Sequence, residues 1–343
     1  PAMESESLGS CETTELRTLH LFGAPEWAVI AAPIATRQGW SVCLRTSDRY
    51  WTEPEYWTEM FTEKLGVSIF VNNDLEAVTE MGPPIISGDI GLSFGAPWVF
   101  PDHWIEKWNG SIFNFHPRAL PFNRGAGGSS WLILMKERSG AVVVHEIVAA
   151  LDAGPIVASR SFSYPEEVTL PSHYDAMDMQ EGARLLEGWL PNALAGSITK
   201  TEQSTADSSY WPRLSTEVHG WVDWRWTAEQ IVSFICAFDD PYPGAKTYLG
   251  SEPVVLRGAQ VLSAQSFHPF QAGLVYRIDE RGHHVSSQDG GILIKEIISI
   301  TQLGVEKTRV GARLRTPLSI LEEALATRVT YHPNGEIGTE PSS

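Results

Sequence analysis

Over roughly the first 200 residues, short apolar segments alternate with segments of helical spacing, and this alternation limits the fold more than any other feature. The apolar, strand-like runs lie at 16–22, 40–46, 67–71, 85–94, 111–115, 141–148 and 155–163. Helical spacing of apolar residues occurs at 53–65, 74–81 and 172–194. Strands that alternate with helices are joined by crossover connections. The pattern predicts an α/β domain with a doubly wound, mostly parallel, Rossmann-like sheet.

The composition changes near the middle of the chain, which has 343 residues, about twice the usual length of one domain. Residues 197–215 are rich in Ser, Thr and acidic side chains and are interpreted as a linker. Short alternating strands with one helix follow, which predicts a small OB-like β-barrel. The predicted order is a disordered leader (1–15), a catalytic domain (16–196), the linker, the barrel (216–328) and a loose tail (329–343).

The charge of the chain argues against a nucleic-acid partner. Its 42 acidic and 25 basic side chains give a formal charge of −17, and no three basic residues are consecutive. Binding to a polyanion normally requires a face rich in Lys and Arg. Cys11, Cys43 and Cys236 have no CxxC spacing, which argues against a disulfide scaffold and a structural zinc. With no apolar run long enough for a signal peptide or a membrane span, the protein is expected to be cytoplasmic.

The densest cluster of candidate catalytic and ligand-binding residues is the segment FNFHPRALPFNRGAGGSSW, at 113–131. On a strand, Asn114 and His116 are two residues apart, so their side chains point to the same face. Pro117 ends the strand and leaves His116 at its carboxyl end, where ligands bind in open α/β sheets. The glycines from Gly125 onward allow the backbone to approach a ligand closely.

A second candidate element is LDAGPI, at 151–156. Taken alone, Asp152 in this loop is more often a turn residue, and an Asn-x-His pair on a strand is more often a polar pair in the core. His145 lies in an apolar run and is expected in the core or beside the catalytic residues rather than on a metal. Each signal is weak by itself.

Together, the two elements resemble the folate-dependent formyltransferase family. FNFHPRALPFNRG is similar to the family signature N-x-H-x-x-L-L-P-x-x-R-G, and LDAGPI is similar to the D-x-G-x-I loop that follows it. GLSFGAPWVFP (91–101) stands where the family has a strand and a folate-pocket loop. VHGWVDW and AFDDPYPGAKTYLG resemble the carboxyl-terminal barrel of the family. The resemblance covers roughly residues 85–300.

The resemblance implies that the protein transfers a formyl group from 10-formyltetrahydrofolate to a primary amine. Its catalytic residues would be Asn114, His116 and Asp152. An Asn carboxamide can donate to the developing oxyanion, and a His can remove a proton from the attacking ammonium. Asp152 would hold the tautomer of His116 and raise its pKa. No metal is needed. The residues expected to bind the folate are Phe94, Gly95, Trp98, Val99, Leu151, Ala153, Gly154 and Ile156.

The sequence departs from the family pattern at three places. Arg118 stands where the family usually has a small residue, and it is expected either to anchor a phosphate or carboxylate of the acceptor or to be exposed. Ala119 replaces the first Leu of the signature. The first βα turn has only Gly23-Ala24-Pro25, so nucleotide contacts there cannot be inferred. The candidate acceptor-binding residues are Arg118, Arg124 and Gly125.

The acceptor itself stays open at the level of sequence. Members of the family formylate methionyl-tRNA, nucleotide-linked amino sugars, glycinamide ribonucleotide or hydroxyornithine, and some relatives hydrolyse the folate. The barrel argues against the glycinamide ribonucleotide enzyme, and the negative charge argues against tRNA. A nucleotide-linked amino sugar is therefore the preferred acceptor, and a non-catalytic binding module is the alternative from another class. A homodimer is one assembly that the sequence leaves open.

Overall fold

The structure is a computed structural model that describes residues 17–126, 128–262, 266–300 and 308–342. The predicted leader (1–15) lies outside the described residues. In the first domain the helices are α1 (Pro25–Thr36), α2 (Pro54–Thr58), α3 (Leu75–Glu80), α4 (Asp102–Ile105), α5 (Ser129–Leu134) and α6 (Pro171–Leu194). The strands are β1 (Thr18–Gly23), β2 (Ser41–Thr46), β3 (Ser68–Val71), β4 (Ile90–Phe94), β5 (Ile112–His116), β6 (Arg124–Gly125), β7 (Ser139–Glu146) and β8 (Ile156–Ser163).

The main sheet has seven strands in the order β3-β2-β1-β4-β5-β7-β8. The first five are mutually parallel, and β7 and β8 continue the sheet antiparallel. Every residue of β1 is buried, because this central strand is covered on both faces. The predicted doubly wound, mostly parallel sheet is confirmed. The carboxyl ends of β1, β2, β4 and β5 therefore meet at one edge.

Local sequence explains where several of these elements begin. Pro25 starts α1, where a missing N–H costs nothing, and Asp74 caps α3 by accepting a hydrogen bond from the N–H of Ala77 at 2.8 Å. The helical segment predicted at 53–65 is α2 followed by a π-helical stretch, Glu59–Lys64. Its Trp57 and Phe61 are buried in the core with Leu19, Leu21 and other residues of the sheet.

The second domain is an antiparallel sheet that curls back on itself. Its elements are α7 (Thr216–His219), α8 (Ala228–Ala237), β10 (Ala245–Leu249), β11 (Glu252–Val261), β12 (Val275–Asp279), β13 (Gly282–Ser286), β14 (Gly291–Ser299) and β15 (Leu314–Arg315). The strand order is β12-β13-β14-β11-β10-β15. Backbone hydrogen bonds from Leu314 to Gly273 (2.8 Å) and from Val275 to Ala312 (2.9 Å) join the two edges. A curled antiparallel second domain is thus confirmed, and its assignment as OB-like stays a prediction.

The linker and the tail are more ordered than the sequence predicts. Within the linker, β9 (Tyr210–Trp211) pairs in parallel with β6. After the barrel, α9 (Leu318–Ala326) leads into a hairpin of β16 (Thr327–Tyr331) and β17 (Ile337–Pro341), which replaces the loose tail expected at 329–343. The hairpin is held by distant partners, since the N–H of Arg49 donates to the carbonyl of Pro333 at 3.1 Å. Among the described residues, no helix combines the length and the apolar character needed to cross a bilayer.

Candidate active site

Strand β5 carries Asn114 and His116 to the carboxyl edge of the sheet. Asn114 is half-buried and His116 is buried, and both belong to the same face of the strand. Across the antiparallel β5–β7 pair, Asn114 stands opposite His145, and its Nδ2 lies 3.3 Å from the Nε2 of His145. The third predicted catalytic residue enters from the loop between β7 and β8.

Asp152 is fixed in this loop by a left-handed backbone and several partners. Its φ of +50° is uncommon for a residue other than glycine. Its Oδ2 accepts the N–H of Gly125 at 2.8 Å and lies 3.9 Å from the Nδ1 of His116. Its Oδ1 lies 3.4 Å from the Nε2 of His145. The structure brings the three predicted residues together and adds His145 as a fourth member of the cluster.

The hydrogen bonds around His116 indicate its tautomer. Its Nε2 lies 2.7 Å from the carbonyl of Asn123, and a carbonyl can only accept, so Nε2 carries a proton. In the neutral ring, Nδ1 is then free of a proton and faces Asp152. A proton gained at Nδ1 would be stabilised by the nearby carboxylate. The contact at 3.9 Å is electrostatic rather than a hydrogen bond.

Burial and neighbouring charges shift the pKa of both groups. Burial lowers the pKa of His116 below 6.5, and the charge of Asp152 opposes this effect without overcoming it. Burial alone would raise the pKa of the Asp152 carboxyl, but its contact with His145, the charge of His116 and the Gly125 N–H together lower it. Near neutral pH the cluster therefore holds a neutral His116 beside an ionised Asp152.

The linker supports the Asp152 loop through Gln203. The Nε2 of Gln203 donates to the carbonyls of Asp152 (2.9 Å) and Gly154 (2.7 Å), and its Oε1 accepts from Arg124 at 2.9 Å. Sequence reasoning missed Gln203, because nothing local marks a residue that acts 51 positions away. Arg124, predicted to bind the acceptor, is half-buried and holds this glutamine.

The residues predicted to bind folate differ in exposure. Phe94 is buried in the core, and the indole N–H of Trp98, also buried, donates to the carbonyl of Asn73 at 3.0 Å. Val99 and Leu151 are 92% and 63% exposed. Gly95 is exposed with a φ of +56°, while Ala153 and Ile156 are half-buried.

Two glycines of the site leave no room for a side chain. A Cβ on Gly154 would lie 2.0 Å from the carbonyl oxygen of Glu146, and a Cβ on Gly125 would lie 2.4 Å from the ring of Tyr210. Gly125 also has a φ of +89°, which side chains rarely adopt. The backbone of both loops is thus packed closely against its neighbours, which keeps Asp152 in place.

The position of Arg118 differs from the one that the sequence predicts. Neither of the two expectations, a phosphate anchor or an exposed loop residue, fits its position. The residue is 4% exposed, and its guanidinium lies 2.5 Å from the carboxylate of Asp178 in α6 and donates to the hydroxyl of Ser129 in α5 at 2.8 Å. Arg118 therefore ties the catalytic loop to two helices, because the buried carboxylate of Asp178 attracts its charge inward.

The chain is similar in sequence to known formyltransferases. Residues 215–302 match the family described as formyl transferase, C-terminal domain. The chain is also 29% identical over 212 residues to the methionyl-tRNA formyltransferase of Pseudothermotoga lettingae, covering 62% of this chain and 68% of that protein. The chain is thus similar to folate-dependent formyltransferases in its carboxyl-terminal domain and over 62% of its length. The family resemblance read from the sequence is thereby confirmed.

Solved structures agree with this family fold. An N-formyltransferase from Helicobacter canadensis, solved with folinic acid and dTDP-3-aminofucose, superposes with a TM-score of 0.62 at 15% identity, covering 82% of this chain and all of that chain. HypX from Aquifex aeolicus, solved with tetrahydrofolic acid, gives 0.56 at 18% identity over 91% of this chain, which spans about half (48%) of HypX. At these identities the similarity establishes the fold alone.

Proposed function

We propose that this protein transfers the formyl group of 10-formyltetrahydrofolate to the primary amine of a small acceptor, with a nucleotide-linked amino sugar as the preferred acceptor. The observation that carries the proposal is the convergence of Asn114, His116 and Asp152 at the carboxyl edge of the sheet. Donor, base and carboxylate are the groups that acyl transfer to an amine requires.

The residues beside this cluster fit a folate. Val99 and Leu151 offer exposed apolar side chains to a flat heterocycle, and the exposed backbone of Gly95 permits close approach. Phe94 and Trp98 are buried, so they contribute to the site by fixing the local backbone rather than by stacking on the ligand. When bound, the folate supplies the formyl carbon.

The protein groups then have separate tasks. The carboxamide of Asn114 donates to the oxygen that becomes negative when an amine adds to a formyl carbon. One such donor typically contributes about 3–4 kcal/mol. His116 accepts at Nδ1 the proton that the amine loses as it adds to the formyl carbon, and Asp152 stabilises the resulting imidazolium. The imidazolium can then give this proton to the tetrahydrofolate nitrogen that leaves when its bond to the formyl carbon breaks. Gly125 and Gln203 position Asp152.

We expect the acid limb of kcat/KM to lie below pH 6.5, because only neutral His116 accepts a proton and burial lowers its pKa. The charge of Asp152 raises that pKa, so Asp152→Asn should move the limb to still lower pH. Both proteins are assayed with the same acceptor over about pH 4.5–8.5, which extends to both sides of the ordinary histidine pKa of about 6.5. Titration of the acceptor amine is common to both profiles. A limb that moves to higher pH in Asp152→Asn would contradict the proposed charge coupling.

The acceptor class is tested by salt dependence. With formyl-folate as donor, initiator methionyl-tRNA is compared with dTDP-, UDP- and GDP-linked amino sugars and with hydroxyornithine. We expect transfer to an amino sugar, with only a shallow decline between about 50 and 200 mM salt. Binding of a tRNA through several phosphates would decline steeply over that range. Steeply salt-dependent transfer to the tRNA alone would reverse the preference.

The same assay separates the remaining alternatives. Formyl loss without any amine would favour a hydrolase, as some relatives are. No formyl loss with any acceptor would favour a binding module that retains the fold. The methionyl-tRNA formyltransferase relative keeps the tRNA alternative open, and the formal charge of −17 argues against it.

A further inference from the structure

The carboxyl-terminal hairpin places Tyr331 against two arginines from distant parts of the chain. Arg49 follows β2 of the first domain, and Arg213 follows β9 in the linker. Their guanidinium carbons lie 4.7 Å and 4.9 Å from the centre of the Tyr331 ring. Both distances are within the range of a cation–π contact. The aromatic ring thus gathers two positive charges at one point.

Neither of these guanidinium groups forms an ion pair with a carboxylate of the described residues. Other arginines of the chain do have acidic partners: Arg118 pairs with Asp178, and Arg257 pairs with Asp239. Burial lowers the pKa of Arg213, and the charge of Arg49 lowers it further. In a protein of formal charge −17, two neighbouring arginines without a carboxylate are a local excess of positive charge.

A cavity of about 220 Å³ lies beside Tyr331. Its walls come from the first domain, the linker, the barrel and the hairpin, and include Ser130, Leu214, Tyr242, Tyr331 and Ile337. Glu217 also lines this cavity, and neither arginine is among its lining residues. Arg49 and Arg213 are each half-buried beside Tyr331, so part of each residue remains open to solvent.

The cluster of Arg49, Arg213 and Tyr331 is connected to the catalytic residues through two segments of the chain. Gly125, which donates to Asp152, pairs with Trp211, and Arg213 follows two residues later, about 7 Å along an extended chain. On the other side, the hydroxyl of Tyr50, next to Arg49, donates to the carbonyl of Gly95 at 2.7 Å. The two arginines thus border the carboxyl edge of the sheet where Asn114 and His116 lie.

We infer that Arg49, Arg213 and Tyr331 form an anion subsite that binds the phosphoryl groups of the formyl acceptor. This inference rests on the proposed function and assigns the phosphates to residues other than Arg118 and Arg124. Arginine suits the task because its planar donors match phosphate oxygens in pairs. Tyr331 orients the two guanidinium groups, so the hairpin completes the subsite.

The test measures binding directly, so it does not depend on turnover. Calorimetric titration with inorganic pyrophosphate, and separately with dTDP, is carried out on the wild type and on Arg49→Gln, Arg213→Gln and Arg328→Gln. Arg328 is the matched control, because it lies on the same hairpin against the ring of Tyr210. We expect at least tenfold weaker pyrophosphate binding in Arg49→Gln and Arg213→Gln and no change in Arg328→Gln.

Two additions to the experiment exclude misfolding and folate binding as explanations of the result. Should Arg213→Gln fail to fold, the half-buried Arg49 alone decides the result. Titration with 5-formyltetrahydrofolate distinguishes the glutamate carboxylates of a folate from phosphate. Weaker folate binding with unchanged pyrophosphate binding in the arginine variants overturns the inference, as does a wild type that binds no pyrophosphate. Failure of formyl transfer to every amino sugar would overturn the proposed acceptor and leave these binding results unaffected.

Discussion

Replacing His116 with alanine is expected to lower kcat by about 10²–10⁴-fold, the range that a positioned general base contributes. Asp152→Ala should cause a similar loss, because His116 and Asp152 act as one unit across a 3.9 Å contact between Nδ1 and Oδ2. The double variant should therefore lose little more than either single variant. Asn114→Ala should lower kcat by about 10²–10³-fold through loss of the oxyanion donor.

These variants are measured by release of tetrahydrofolate at saturating acceptor, with thermal unfolding recorded for each. His103→Ala is the control, since this histidine is exposed and paired with Glu76 away from the cluster. If the loss in the double variant equals the product of the two single losses, the two residues act independently. In that case Asp152 would owe its effect to His145, which lies 3.4 Å from its other oxygen.

The second large effect is on stability. Arg118→Ala is expected to lower the free energy of unfolding by about 3–5 kcal/mol, the usual cost of breaking a buried ion pair. The cost arises because Asp178 would stay buried without its cation, although the hydroxyl of Tyr164 still donates to it. Burial already raises the pKa of Asp178 even with Arg118 in place. Urea unfolding at pH 7 measures the change.

A paired substitution separates charge from packing. Arg118→Met combined with Asp178→Leu removes both charges and should recover most of the lost stability. Lys136→Ala serves as the control, because the Lys136–Glu229 pair is more than half exposed and its loss should matter far less. An Arg118→Ala protein of normal stability but raised KM for the acceptor would instead restore Arg118 to the substrate.

The sequence predicts those parts of the site that depend on local pattern. Asn114 and His116 are two residues apart on a strand that ends at a proline, so their shared face and their place at the sheet edge follow from the spacing alone. The same holds for the strands of the main sheet, because buried parallel strands are nearly continuous apolar runs.

What the sequence does not predict depends on contacts between distant residues. The burial of Arg118 is decided by Asp178, 60 positions away, and a lone arginine on a loop gives no sign of such a partner. The hairpin at 327–341 resembles a polar tail in sequence, because the partners of its Tyr331, Arg49 and Arg213, are far away in the chain. His145 is placed beside Asp152 by cross-strand register, which spacing along one strand cannot show.

The pairing of β9 with β6 has a consequence for how this protein can be divided. Because Gln203 holds the backbone of Asp152 and Gly154, and Trp211 pairs with Gly125, residues 203–211 complete the catalytic half although they precede the barrel. A cut at residue 197 would therefore separate the catalytic loops from their support. A chimera with a different barrel must therefore take residues 203–213 from the protein that supplies its active site, together with the hairpin that carries Tyr331.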